Sequence, residues 1–149
     1  MRAWRCSVKR PQAGVPVANE LRIAIVSEVD IVTARQRGRA LAAALGFASS
    51  DQALIATAIS ELARNILQYA GRGEVDIATE HKNARTGITV VATDQGPGIP
   101  DIARALQDGF STGKGLGLGL PGTKRIMDEF DLTSEVGKGT RVSVKKWVH

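Results

Sequence analysis

Residues 58–66 read Ala58-Ile59-Ser60-Glu61-Leu62-Ala63-Arg64-Asn65-Ile66. They lie in a longer run that opens on Ser49-Ser50-Asp51 and closes on Gly71 and Gly73, so the pattern predicts one helix reaching about Tyr69. Ile55, Ala58, Ile59, Leu62, Ile66 and Tyr69 recur at helical spacing and form its expected apolar stripe. Glu61 and Asn65 are one helical turn apart, and their side chains leave the helix from one face. At ~100° per residue both fall roughly 80–120° from the stripe's centre, where polar groups border a cleft without entering the core. A carboxylate in that place can accept or orient a hydroxyl proton, and an amide oxygen one turn on can coordinate Mg²⁺. For the pair alone, a solvated helix face is the plainer alternative.

Working outward, the β-branched residues 21–29 predict a strand. Asp30 is the expected N-cap of a helix running to Leu45, with Gly46 as its stop. Residues 74–80 and 87–93 predict an antiparallel pair joined by a turn at 83–86, because the connection is too short for a parallel crossover. Gly96-Pro97-Gly98 forces a loop, and residues 101–107 suit a short helix. A glycine-dense stretch fills 109–122, followed by a helix over 123–130 whose start is open to lie earlier despite Pro121. Two last strands, 132–135 and 140–147, flank the turn Gly137-Lys138-Gly139. The whole predicts an α/β (α+β) two-layer sandwich: a mixed, mostly antiparallel sheet with helices on one face.

Two further clusters carry chemistry. Asp94-Gln95-Gly96-Pro97-Gly98 ends a predicted strand in an acid and two glycines, which sets an acceptor at the sheet's mouth. Gly96 and Gly98 let the backbone turn and leave room for a flat ligand. An ionised carboxylate accepts without donating and suits an exocyclic amine such as that of adenine; an ordinary Asp-Gly turn is the alternative. The second cluster is Ser111-Thr112-Gly113-Lys114-Gly115-Leu116-Gly117-Leu118-Gly119-Leu120. Alternating glycines offer backbone N–H groups to phosphates, and Lys114 offers a charge. Phe110, Leu116, Leu118 and Leu120 are too apolar for a solvated linker. Residues 109–114 miss the Walker A spacing, and Gly115 stands where a Ser or Thr would touch Mg²⁺. Gly117-Leu118-Gly119-Leu120-Pro121-Gly122 matches G-x-G-x-x-G but follows no strand, against a dinucleotide fold.

The totals bound the classes. The chain has 149 residues, 43% apolar and 23% charged, the size and composition of one globular domain. Its net charge of +5 sits mostly in residues 1–22, and the remainder is nearly neutral. No basic face with aromatics is left on which nucleic acid would stack. The single Cys6 forms no internal disulfide, no apolar run approaches the ~18 residues of a membrane span, and residues 1–19 lack a signal-peptide core. A cytoplasmic protein with no membrane partner is expected, its residues 1–19 a basic leader without fixed structure.

The order of these pieces is more specific than any one: helix with Glu-x-x-x-Asn, strand with Asp-x-Gly-x-Gly, glycine-rich stretch, then Gly139-Thr140 before the last strand. It resembles the GHKL ATPase superfamily of gyrase, Hsp90, histidine kinases and MutL. Within it the chain looks most like the RsbT-type stressosome switch kinases, relatives of anti-sigma factor kinases. Matching text includes Glu28-Val29-Asp30-Ile31-Val32, Asp108-Gly109-Phe110-Ser111-Thr112 and Met127-Asp128-Glu129-Phe130. The resemblance implies a Bergerat-type fold over residues 20–149 that binds Mg-ATP and phosphorylates Ser or Thr on STAS-domain scaffold or antagonist partners. It further implies a PP2C-type phosphatase or another output enzyme downstream. By the same resemblance Glu61 activates the acceptor hydroxyl, Asn65 holds Mg²⁺, Asp94 binds adenine, Gly96 and Gly98 shape its pocket, residues 113–119 cover the phosphates and Thr140 supports the base. The competing expectation is a non-catalytic, nucleotide-gated binding module that sequesters a regulator. A sensor histidine kinase is disfavoured, since His81 falls in a predicted strand and His149 is terminal.

Overall fold

Ile23 and Ile25, 6% and 0% exposed, alternate with exposed Arg22 and Ala24, so the first strand turns one face to the core. A computed structural model of the chain describes residues 20–101, 105–106 and 119–149. That strand, β1, spans Glu20–Ile25 and stops sooner than the β-branched run predicts. Asp30 is the cause. Its Oδ2 accepts the N–H groups of Val26 (2.9 Å) and Ser27 (3.0 Å) and the Ser27 hydroxyl (3.3 Å), which bends the chain into a helix start. Ser27, not Asp30, is therefore the N-cap of α1 (Glu28–Ala44). These bonds, the one from Val26 foremost, hold the Asp30 carboxyl below its ordinary range.

Helix α2 (Ser49–Ala70) closes at Gly71 with φ +83°, as the punctuation predicts. Ile55, Ala58, Ile59, Leu62 and Ile66 are all buried, each large side chain contributing roughly 1.5–3 kcal/mol. Tyr69 does not join them: it is 48% exposed. Strands β2 (Gly73–Lys82) and β3 (Arg85–Asp94) form the expected hairpin with a tighter loop than 83–86. Lys82 pairs with Arg85, and Asn83 and Ala84 alone turn the chain at φ +52° and +65°.

Helix α3 (Gly119–Ile126) starts earlier and ends sooner than the expected 123–130. Past it, Met127 is buried, Asp128 accepts the Trp147 N–H (2.8 Å), and Phe130 pairs with Val144 inside a strand. That strand, β4 (Glu129–Glu135), and β5 (Gly139–Trp147) complete a five-stranded sheet in the order β1-β2-β3-β5-β4. Among the described residues the four pairings are all antiparallel, as most were expected to be, and no parallel pair makes the sheet mixed. The chain leaves β1, crosses two helices and returns to the same end, which sets β2 antiparallel to it. β3 and β4 do run the same way, but β5 inserts between them. Inward-facing Val75, Ile77, Ile88, Val90 and Val144 meet Ile55, Ile59 and Leu62 to form the core. Ala105 donates to the Asp101 carbonyl (3.1 Å), a helical bond; most of the helix expected over 101–107, like the leader 1–19, lies outside the described residues. Among the described residues no helix is long and apolar enough to cross a membrane.

Candidate functional site

β3 ends at Asp94 beside two other chain segments, Gly73 opening β2 and Thr140 in β5. The half-buried Asp94 carboxylate accepts the Gly96 N–H through Oδ1 (2.8 Å). Burial away from water pushes its pKa above 3.8, against the opposing pull of the Gly96 and Thr140 N–H groups. Two glycines make the approach possible. At Gly98 (φ +81°) a Cβ would strike the Glu135 carbonyl, and at Gly139 (φ +112°) it would strike the carbonyl of Asp94 itself. Gly96 lies against the end of α2, where a Cβ would sit 2.6 Å from that of Ala70.

Ser134 ties this corner together. Its hydroxyl accepts the Ile99 N–H (2.7 Å), donates to the Gly139 carbonyl (3.1 Å) and lies 2.9 Å from the Thr140 hydroxyl. The loop after Asp94 is also pinned by the Gly137 N–H on the Pro97 carbonyl (2.8 Å). The result is a partly dehydrated carboxylate at the end of the sheet, on a backbone that only glycine permits.

The second half of the site is on α2. Glu61 is 6% exposed, deeper than the stripe margin predicted, because α3 packs over it. Its Oε1 is 2.7 Å from Arg64 Nη1, and its Oε2 accepts the Gly119 N–H at 3.3 Å. Gly119 is held by its own helix, since the fully buried Thr123 hydroxyl donates to its carbonyl (2.9 Å). Asn65, one turn on, is half-buried. Ile66 beside it packs on Gly73, whose added Cβ would lie 2.8 Å from Ile66 Cγ2 and 3.2 Å from Asp94 Cβ. The two halves thus meet through Ile66, Gly73 and Ala70.

Of the residues singled out, the fold joins Glu61 to Gly119 and Asp94 to Gly96 and Thr140, with Gly98 on the same loop. Gly113, Lys114, Gly115, Leu116 and Gly117 lie outside the described residues. Neither Ser134 nor the pairing of Arg64 with Glu61 is among the features that the sequence singles out. Alternation with Phe130 and Leu132 could have turned Ser134 inward, and the i,i+3 spacing could have paired Arg64 with Glu61. Chemically, the corner can accept from an amine on a flat ring, and α2 offers a carboxylate and an amide a turn apart.

Residues 50–148 match the family described as histidine kinase-, DNA gyrase B-, and HSP90-like ATPase. The chain is 55% identical over 126 residues to the serine/threonine-protein kinase RsbT of Bacillus subtilis, covering 85% of this chain and 95% of that protein. An anti-sigma F factor of Caldanaerobacter subterraneus is 33% identical over 113 residues, covering 73% of this chain and 79% of the relative. Among solved structures, the RsbU and RsbW domains of a Mycobacterium tuberculosis protein superpose with a TM-score of 0.58 at 20% identity. That match covers 85% of this chain and 32% of the other, and speaks for the fold alone.

Proposed function

Because the chain belongs to the histidine kinase-, DNA gyrase B- and HSP90-like ATPases, and shares 55% identity with a serine/threonine-protein kinase across most of its length, we propose that it is a protein serine/threonine kinase. Its acceptors are Ser or Thr side chains of STAS-domain proteins in a partner switch, with a phosphatase or other output enzyme downstream. It works in the cytoplasm, where ATP is supplied. The observation that carries the reading is the buried Glu61 carboxylate one turn from Asn65 and in contact with the start of α3.

The donor set suits a purine nucleotide. A carboxylate already stripped of part of its hydration, with glycines where any side chain would collide, fits the exocyclic amine of adenine. In this reading Asp94 accepts from that amine, Gly96 and Gly98 make room for the ring, and Thr140 supports it from β5. Asn65 holds Mg²⁺ by its amide oxygen. Gly113, Lys114, Gly115, Leu116, Gly117 and Gly119 cover the phosphates with backbone N–H groups and one ammonium. Bound Mg-ATP supplies the γ-phosphoryl group and the neutralised charge that its transfer needs. Glu61 takes the proton of the acceptor hydroxyl as the new P–O bond forms and ADP leaves. Positioning and electrostatics do most of the work in such transfers, so one well-placed base suffices.

Glu61→Ala is expected to keep ATP affinity and lower phosphotransfer by about 10²–10⁴-fold. The measurement is label transfer from Mg-ATP to a STAS-domain protein of the same organism, beside calorimetric ATP binding. Transfer at the unmutated rate would remove Glu61 from the mechanism. The similarity to an anti-sigma factor favours one second reading, a nucleotide-gated binding module. Tight ATP binding and complex formation without any label would point there.

A further inference from the structure

An ion pair between neighbouring helix residues is ordinarily two solvated side chains. The pair on α2 is not of that kind. Glu61's side chain is 8% exposed and Arg64's is 43%, so a guanidinium reaches in from the rim to a carboxylate that has little water of its own. The contact is short, 2.7 Å at Oε1. Among the described residues the other oxygen, Oε2, has only the long 3.3 Å bond from Gly119, the weaker hold of the two. A carboxylate gripped by one oxygen and loosely held by the other has a fixed orientation and a usable lone pair.

We propose that Arg64 is a positioning residue for phosphotransfer: it holds Glu61 by Oε1 and so presents Oε2 to the acceptor hydroxyl. The proposal rests on Glu61 acting as the base. It assigns Arg64 no contact with nucleotide or acceptor; the arginine acts through the carboxylate alone. Displacing a proton acceptor by even an ångström from its reacting geometry is costly, whereas the nucleotide contacts proposed for Asp94 and Asn65 do not pass through Glu61 and are left as they were.

The test compares the full chain with Arg64→Gln, Arg64→Lys, Glu61→Gln and the Arg64→Gln/Glu61→Gln double variant, using labelled Mg-ATP and a STAS-domain acceptor. Arg64→Gln is expected to lower kcat at least about tenfold while ATP affinity stays within about threefold, a split that a general loss of structure does not give. Arg64→Lys keeps the charge without the planar fork and recovers part of the rate. In the double variant Arg64→Gln adds nothing to the loss from Glu61→Gln, because both act on one step. The proposal is overturned if Arg64→Gln transfers at the unmutated rate, if it weakens ATP binding as much as it slows transfer, or if its effect persists undiminished without Glu61. A Glu61→Gln chain that transfers normally, or an unmutated chain that labels nothing, overturns it as well. Those two results locate the failure in the base or in the kinase reading, not in Arg64.

Discussion

Asp94 accepts an amine most strongly when ionised, yet its surroundings favour the proton. Burial raises its pKa above 3.8, and the Gly96 and Thr140 N–H groups only partly reverse that. In the proposed site the ionised form binds more tightly, so ATP affinity should fall on acidification at a higher pH than for an ordinary aspartate. The same shift means that the folded chain holds this proton more tightly than the unfolded chain. Its contribution to stability is therefore full below pH 3.8 and is lost as pH rises through the folded pKa. Asp94→Asn removes the charge-assisted acceptor and is expected to weaken ATP about 10–100-fold at neutral pH, with the acid limb gone. Calorimetric titration across pH reads both effects; unchanged affinity at pH 7 would take Asp94 out of the adenine site.

At the scale of elements, the β2–β3 hairpin carries a local cost. Its two-residue loop needs positive φ at both positions, which Asn83 tolerates and Ala84 does not (φ +65°). Ala84→Gly should relieve up to about 1 kcal/mol, less the extra freedom glycine has when unfolded, for a Tm gain of about 2–4 °C. A lower Tm would mean that the loop is not strained as its dihedrals indicate. The hairpin is legible from strand patterning on both sides, but its loop is narrower than 83–86 because Thr86 is held in the ladder opposite His81. Helix α1 shows the reverse error. Asp30 has the chemistry of an N-cap, and the structure uses it three residues further in, where it reaches back to Val26 and Ser27.

At the scale of the whole molecule, Lys146 joins parts that no local pattern connects. It is 7% exposed on the inner face of β5, and its Nζ donates to the last carbonyl of α3, on Ile126 (2.9 Å). Asp128 and Asp51, the latter in the first turn of α2, lie 3.9 and 4.0 Å from it. Lys146→Met keeps the stem and loses the donor, leaving a carbonyl and two acids without it. A loss of roughly 1–2 kcal/mol is expected from urea unfolding at unchanged m. Equal or greater stability would mean that burying the ammonium costs as much as its contacts return.

The sequence by itself determined where the main elements fall, to within a few residues at their ends, and which side chains are available for chemistry. Apolar spacing placed Ile55 to Ile66 on one face of α2, and glycines marked the helix end at Gly71 and the turn at 137–139. The order of the motifs carried the family resemblance that links Glu61, Asn65 and Asp94 in one proposed scheme. Those signals are local, and local rules of spacing and backbone freedom suffice to read them. Tertiary structure decided how deep each group lies and what answers its charge. It buried Glu61 under α3, pressed Gly139 against Asp94, drew Ser134 into the corner and slid β5 between β3 and β4. Burial, and the pairing it demands of a charged group, depends on which distant segments arrive at the same place, and no short stretch of chain contains that information.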